Sequence, residues 1–225
     1  MIRFTNVTKH YPGGHQALSN ISFTLEQGEM AFLTGHSGAG KTTLLKLLMM
    51  VEFITRGQIY INNRNLSRLS KRQIPYLRRH IGMIFQNPQL FYYRTVLDNV
   101  AIPLVISGYR RQEINRRVRA ALDKVGLLKK ENLYPSALSS GEQQRIGIAR
   151  AIVNKPMIVL ADEPTGNLDP ELSFDIMRLF EVFNAVGVTI LVAMHDLSLI
   201  ASLNHRIITL KGGRLIGEPQ DVPSS

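Results

Sequence analysis

Residues 30–50, MAFLTGHSGAGKTTLLKLLMM, decide the fold. MAFLT reads as a short buried strand, and the glycine-rich run GHSGAGKTT at 35–43 follows it without a break. From Lys41 onward the apolar residues fall at helical spacing, with Leu44, Leu45 and Leu48 on one side. The loop fits G-x-x-x-x-G-K-[ST] through Gly35, Gly40, Lys41 and Thr42, in the strand–loop–helix setting the motif requires. Glycines let backbone N–H groups approach phosphate oxygens, and the start of a helix adds a favourable field for anions. His36, Ser37, Gly38 and Ala39 complete the cradle, and Thr43 follows it. Lys41 is expected to reach the β- and γ-phosphates of ATP, and the Thr42 hydroxyl to ligate Mg²⁺.

Working outward, the chain before this stretch reads as strands. MIRFTNVTKHY and ALSNISFTLEQ place apolar residues at alternate positions, including Ile21, Phe23 and Leu25, and Gly28-Glu29 makes a turn. QIYIN and IGMIF are further strands. Between Asn87 and Asn154 the character changes: TVLDNVAIPLVI and QEINRRVRAALDKVG are helical, and no strand follows until MIVLAD. A helix is expected from Pro170, capped by Asp169, because proline suits the first helical position. VTILVAM is another buried strand, and RIITLKGGRLIGE reads as a hairpin around Gly212-Gly213. Apolar strands interleaved with helices imply an α/β fold with a mainly parallel sheet covered on both faces. The expectation is one domain over 1–225, with a catalytic core of 1–86 and 155–225, an antiparallel N-terminal part, and a helical insertion over about 87–154.

Composition narrows the classes. With 225 residues and 44% hydrophobic content the chain can build a substantial core. It has no cysteine, which excludes disulfide and thiol chemistry and suits a reducing compartment. No apolar run reaches the length of a membrane span, and MIRFTNVTKHY lacks a secretion-signal core, so a protein kept inside the cell is expected. The net charge is +10, and it is uneven. Residues 64–130 hold 15 Lys or Arg against 3 acidic residues (Asp98, Glu113, Asp123), while the remainder holds 12 against 14. Such a segment is a solvated helical surface, a face for anionic lipid, or a nucleic-acid contact, and composition leaves all three open.

Two further stretches carry chemistry. MIVLADE puts Asp162 and Glu163 at the end of a buried strand, where open α/β sheets collect ligands. There Asp162 would hold Mg²⁺ through water and Glu163 would polarise the attacking water; alone, the pair reads equally as two solvated carboxylates. In ALSSGEQQRIGIARAIVNKP, Ser139, Ser140 and Gly141 open a helix whose free N–H groups suit a phosphate. Read by itself, that start is an ordinary serine cap.

GHSGAGKTT, LSSGEQQR, VLADEPTGNLD and AMHD, in this order, resemble the ATP-binding-cassette ATPases over essentially the whole chain. AFLTGHSGAGK, RRHIGMIFQ, TVLDNVAIPL and GIARAIVNKP resemble the cell-division branch of that family. The resemblance implies roles residue by residue. Tyr11 would stack on adenine. Gln86 would touch Mg²⁺ and water and couple to the helical subdomain. Ser139 and Gly141 would meet the γ-phosphate of ATP held by the opposite subunit of a homodimer. Asp169 would lie in the loop crossing that interface, and His195 would switch on the γ-phosphate. It also implies a polytopic membrane partner of the FtsX type, docked near Gln86, and a peripheral place on the cytoplasmic face of the inner membrane at the division site. The basic segment would then lie beside anionic lipid, and nucleic acid is not expected as a partner. Lipoprotein-release and efflux ATPases share ADEPTGNLD, so their function is the first alternative, and a DNA-associated ATPase the second. The chain departs from the family at Ser140, where glycine is usual, at Met194, where threonine is common, and in LMMVEFITRG, which lacks the usual Gly and Pro.

Overall fold

In the computed structural model, residues 1–216 are described. In chain order the elements are β1 (Ile2–His10), β2 (Gln16–Leu25), β3 (Met30–Thr34), α1 (Lys41–Leu48), β4 (Arg56–Ile61), β5 (Arg64–Asn65), α2 (Ile74–Arg79) and β6 (Ile81–Phe85). Then come α3 (Val96–Ile106), α4 (Arg111–Lys124), α5 (Ser140–Ile152), β7 (Ile158–Asp162), α6 (Pro170–Ala185), β8 (Thr189–Ala193), α7 (Leu197–Ala201), β9 (Arg206–Lys211) and β10 (Arg214–Ile216). No helix among the described residues is long and apolar enough to cross a membrane.

The strands form two sheets. β2-β1-β4-β5 is antiparallel, and its alternating pattern buries Ile2, Phe4, Ile21, Phe23, Leu25, Ile59 and Ile61. Phe4 and Phe23 face each other across β1 and β2 with rings stacked 4.7 Å apart. The second sheet runs β10-β9-β3-β8-β7-β6, and every pair in it is parallel except the β9–β10 hairpin. MAFLT and TILVA are buried along their whole length, as strands covered on both faces must be. Ala31, Leu33, Leu160 and Leu191 pack toward α1 and the antiparallel sheet, whereas Phe32, Val159, Ala161, Ile190 and Val192 pack toward the helices of the other face.

The structure adjusts some sequence expectations. The helix expected from Lys41 ends as α1 at Leu48, and Met50 just beyond takes a left-handed φ of 53° that no helix continues. α2 was not anticipated, being six residues long with Pro75 in its first turn. The hairpin expected through Glu218 is present around Gly212-Gly213 as far as Ile216; its last two residues lie outside the described ones. Between β6 and β7 the longer elements are α3, α4 and α5, with Thr95 and Ser139 capping α3 and α5 through their side chains.

Parallel pairing fixes where the site lies. Phe85 is opposite Asp162, Asp162 opposite Ala193, and Ala193 opposite Leu33, so β6, β7, β8 and β3 end along one edge. The residues that follow those ends are Gln86, Glu163, His195 and the loop from Gly35. Four segments far apart in sequence therefore open into one space.

Candidate functional site

A cleft of about 590 Å³ lies at that edge, lined by His36 through Thr43, by Gln86, Glu163 and His195, and by His15 and Ala17 from the start of β2. The loop wraps the start of α1. Gly40, the N-cap, has φ 108° and no side-chain capping bond, so the first N–H groups of α1 face the cleft without a side-chain acceptor. A Cβ on Gly40 would come 2.7 Å from the Ala17 carbonyl oxygen, which reserves this position for glycine. Lys41 is 8% exposed; its Nζ donates to Gly35 O at 2.6 Å and lies 3.5 Å from Glu163 Oε1.

Glu163 joins the two sides of the cleft. Oε1 faces Lys41, while Oε2 lies 2.7 Å from His195 Nδ1. Its backbone has a left-handed φ of 49°, sparsely populated for a residue with a side chain, and is held by Glu163 N–H donating to Ala193 O at 2.8 Å. That twist lifts the carboxylate off the end of β7 into the cleft. Next to it, the Thr42 hydroxyl donates to Asp162 Oδ1 at 3.2 Å. Burial pushes the Asp162 carboxyl above the ordinary aspartate range, and the charge of Glu163 adds to this; the Thr42 hydrogen bond opposes it. A half-buried carboxylate beside a hydroxyl is a hard oxygen donor set, suited to a small divalent cation. Among the described residues no three His, Cys, Asp or Glu side chains cluster as a metal cage. The set therefore fits a cation that takes its remaining ligands from phosphate and water, as Mg²⁺ does.

Gln86 is exposed and its amide rests against Gly166, where a Cβ would come 2.8 Å from Nε2. Tyr11 stands at the rim, its hydroxyl 3.4 Å from Thr43 Oγ1. Sequence reading missed His15, which lines the cleft and whose ring is nearly parallel to that of Tyr11. A single histidine in a glycine-rich turn carries no pattern that would have marked it.

Ser139, Gly141 and Asp169 do not line this cleft. They form a second surface of their own. Ser139 caps α5 in a reciprocal box, with Glu142 N–H donating to Ser139 Oγ and Ser139 N–H donating to a Glu142 carboxylate oxygen. Asp169 caps α6 by accepting from Leu172 N–H at 3.0 Å. The two helix starts touch, since a Cβ on Gly141 would sit 2.9 Å from Leu172 Cδ1. Ser140 is exposed, opens α5, and is outside the left-handed region, so its Cβ is accommodated. The other carboxylate oxygen of Glu142 meets Lys130, which holds the Glu142 carboxyl below its usual range.

Part of the basic segment is spent within the protein, Arg78 and Arg79 donating to the carbonyls of Met49, Met50 and Ile106. Arg117, Arg119 and Lys130 are committed to Glu113, Glu131 and Glu142. Among the described residues, the side chains of Arg64, Arg68, Arg110, Arg111 and Arg116 make no ion pair or hydrogen bond.

Comparison with known proteins agrees with this geometry. Residues 18–166 match the family described as ABC transporter. The cell division ATP-binding protein FtsE of Escherichia coli K12 is 58% identical over 217 residues, covering 96% of this chain and 98% of that protein. The FtsE of Mycobacterium tuberculosis is 45% identical over 221 residues, covering 98% and 96%. Among solved structures, the dimeric ABC transporter cassette MJ0796 superposes with a TM-score of 0.87 at 37% identity, over 97% of this chain and 98% of that one. The same cassette in a post-hydrolysis state bound to ADP and phosphate gives 0.87 at 36% identity over the same shares. With its family match, its two sheets and its phosphate loop, the chain belongs to the ABC transporter family, as one of its ATPase cassettes.

Proposed function

We propose that this chain hydrolyses ATP at the Gly35–Thr43 cleft as a head-to-tail homodimer, and that the dimer signals through a membrane partner in bacterial cell division. One observation carries the chemistry: Glu163 lies between Lys41 and His195, its carboxylate shared by both. Lys41 and the N–H groups at the start of α1 bind the phosphates and stabilise charge that develops on them. Glu163 orients the attacking water and takes its proton. His195, held by Glu163 through Nδ1, turns its other ring nitrogen toward the γ-phosphate. Thr42, Asp162 and Gln86 would hold Mg²⁺, which when bound neutralises phosphate charge. Tyr11 stacks on adenine. Ser139 and Gly141 complete the site of the opposite subunit, with Asp169 beside them at the interface; that none of the three lines this chain's own cleft supports that division of labour.

The biological role rests on the FtsE relatives. An integral protein of the FtsX type is the partner, and the chain sits peripherally on the cytoplasmic face of the membrane at the division site, where the pair controls peptidoglycan hydrolysis. An apolar groove of about 580 Å³ between α2, β6 and α3, lined by Ile81, Phe85, Ile102, Pro103 and Ile106, adjoins Gln86 and supports docking there. The unpaired Arg64, Arg68, Arg110, Arg111 and Arg116 support contact with anionic lipid, where each cation near the surface contributes on the order of 1 kcal/mol.

The test uses Glu163→Gln. Turnover should fall about 10²–10⁴-fold, the scale of a general base, while ATP binding and an ATP-dependent dimer persist. With ATP, that variant should co-purify an FtsX-type protein from native membranes. Turnover near that of the unmodified protein would remove Glu163 from its role. Capture of a lipoprotein-release permease would keep the chemistry and replace the division role.

A further inference from the structure

The segment after β1 closes on itself. Tyr11 N–H donates to His15 O at 2.9 Å and Gly14 N–H to Tyr11 O at 3.2 Å, so the chain reverses within residues 11–15. The reversal brings the Tyr11 and His15 rings together, their centroids 6.5 Å apart and their planes within 14° of parallel. The two rings are held differently. Tyr11 is braced: its hydroxyl touches Thr43, and the Lys9 ammonium lies 4.7 Å from its ring centroid. Lys9 is itself 7% exposed and fixed by Glu52 Oε2 at 2.8 Å and Phe53 O at 2.9 Å. His15 is exposed, lines the phosphate cleft, and makes no side-chain hydrogen bond among the described residues.

A flat ring between two others needs two van der Waals separations of roughly 3.5 Å, about 7 Å in all. With centroids 6.5 Å apart the rings must part by at least about 0.5 Å to admit a base, and the turn has room to widen, since a Cβ on Gly13 or Gly14 would meet nothing within 4 Å. We propose that Tyr11 and His15 form a two-sided clamp on the nucleotide base, with His15 the second ring. The proposal rests on the nucleotide reading of the cleft and adds to it a residue that touches the base. Stacking uses the face of a base and ignores its hydrogen-bonding edge, so the clamp favours any purine over a bare phosphate chain.

Calorimetric titration of the full chain with Mg²⁺ and ATP, GTP or tripolyphosphate separates the possibilities. In His15→Ala, ATP and GTP should each bind roughly tenfold more weakly, within the range of one lost stack, and tripolyphosphate should bind as before. His15→Phe should restore both nucleotides. Unchanged ATP affinity in His15→Ala overturns the clamp. Equal losses for ATP and tripolyphosphate overturn it too, by assigning His15 to the phosphates. Lys41→Ala marks the other failure: if it leaves ATP and tripolyphosphate binding intact, the nucleotide reading falls and the clamp falls with it.

Discussion

Two helix starts, at α1 and α5, are finished in opposite ways. α1 begins at Gly40 with no side-chain cap, and its leading N–H groups face the cleft of its own subunit. α5 begins at Ser139 with a complete capping box, and Lys130 offsets the charge of Glu142. A bare helix start gives its donors to a ligand and depends on backbone shape to exist at all. A capped one is stable in its own right and offers a ligand its hydroxyl and the remaining donors. The difference suits the division of labour proposed above, in which α1 serves the cleft of its own subunit and α5 the cleft of a second.

The comparison breaks most sharply at Gly40. Gly40→Ala would press a methyl to within 2.7 Å of Ala17 O and Leu18 Cδ2 at a φ of 108°, shifting the loop. We expect ATP affinity to fall on the order of 100-fold, the scale of a misplaced site, measured by equilibrium binding. Ser139→Ala tests the capped start: about 1 kcal/mol of stability should go, with ATP binding by the monomer unchanged and the ATP-dependent dimer of Glu163→Gln weakened. Denaturant titration and size-exclusion chromatography read the two effects.

Asp162→Asn sharpens the α1 side. Because the folded protein raises this carboxyl, its ionised form costs stability once pH climbs above the ordinary aspartate range, near 4. The asparagine variant should therefore melt slightly higher than the parent at pH 7, by about 2 °C, with the gap closing toward pH 4, while Mg²⁺-dependent ATP binding is lost. Lys130→Met is the mildest. Glu142 is depressed by Lys130, so the pair stabilises above the ordinary glutamate range and is lost as pH falls through the lowered value. Both side chains are substantially exposed, so we expect about 0.5 kcal/mol at neutral pH, shrinking in acid and in salt, by thermal melts of parent and variant.

Much of this was legible in the sequence, for physical reasons. MAFLT, MIVLAD and VTILVAM are apolar runs because both faces of their sheet are covered, and Gly35 and Gly40 sit where a side chain would collide. The Asp169 cap is local, so Pro170 beside it revealed it. What stayed hidden depends on contacts made only once the chain has turned back on itself. Lys130 meets Glu142 across the turn that precedes α5, and His15 meets Tyr11 only after the chain reverses. The surplus of basic charge in residues 64–130 gave no sign that Arg117, Arg119 and Lys130 are spent on internal partners.

α5 ends where it began to matter. It is 13 residues long, about 20 Å. Along it, Gln144 Nε2 donates to Phe85 O at 3.0 Å, and Arg150 donates to the carbonyls of Pro88 and Gln89. Two side chains of α5, Gln144 and Arg150, thus tie the helix to residues 85–89 on either side of Gln86. On the function proposed above, a partner that displaced residues 85–89 would carry the Ser139 tip with them, so the groove beside Gln86 and the second-subunit surface would keep the same time.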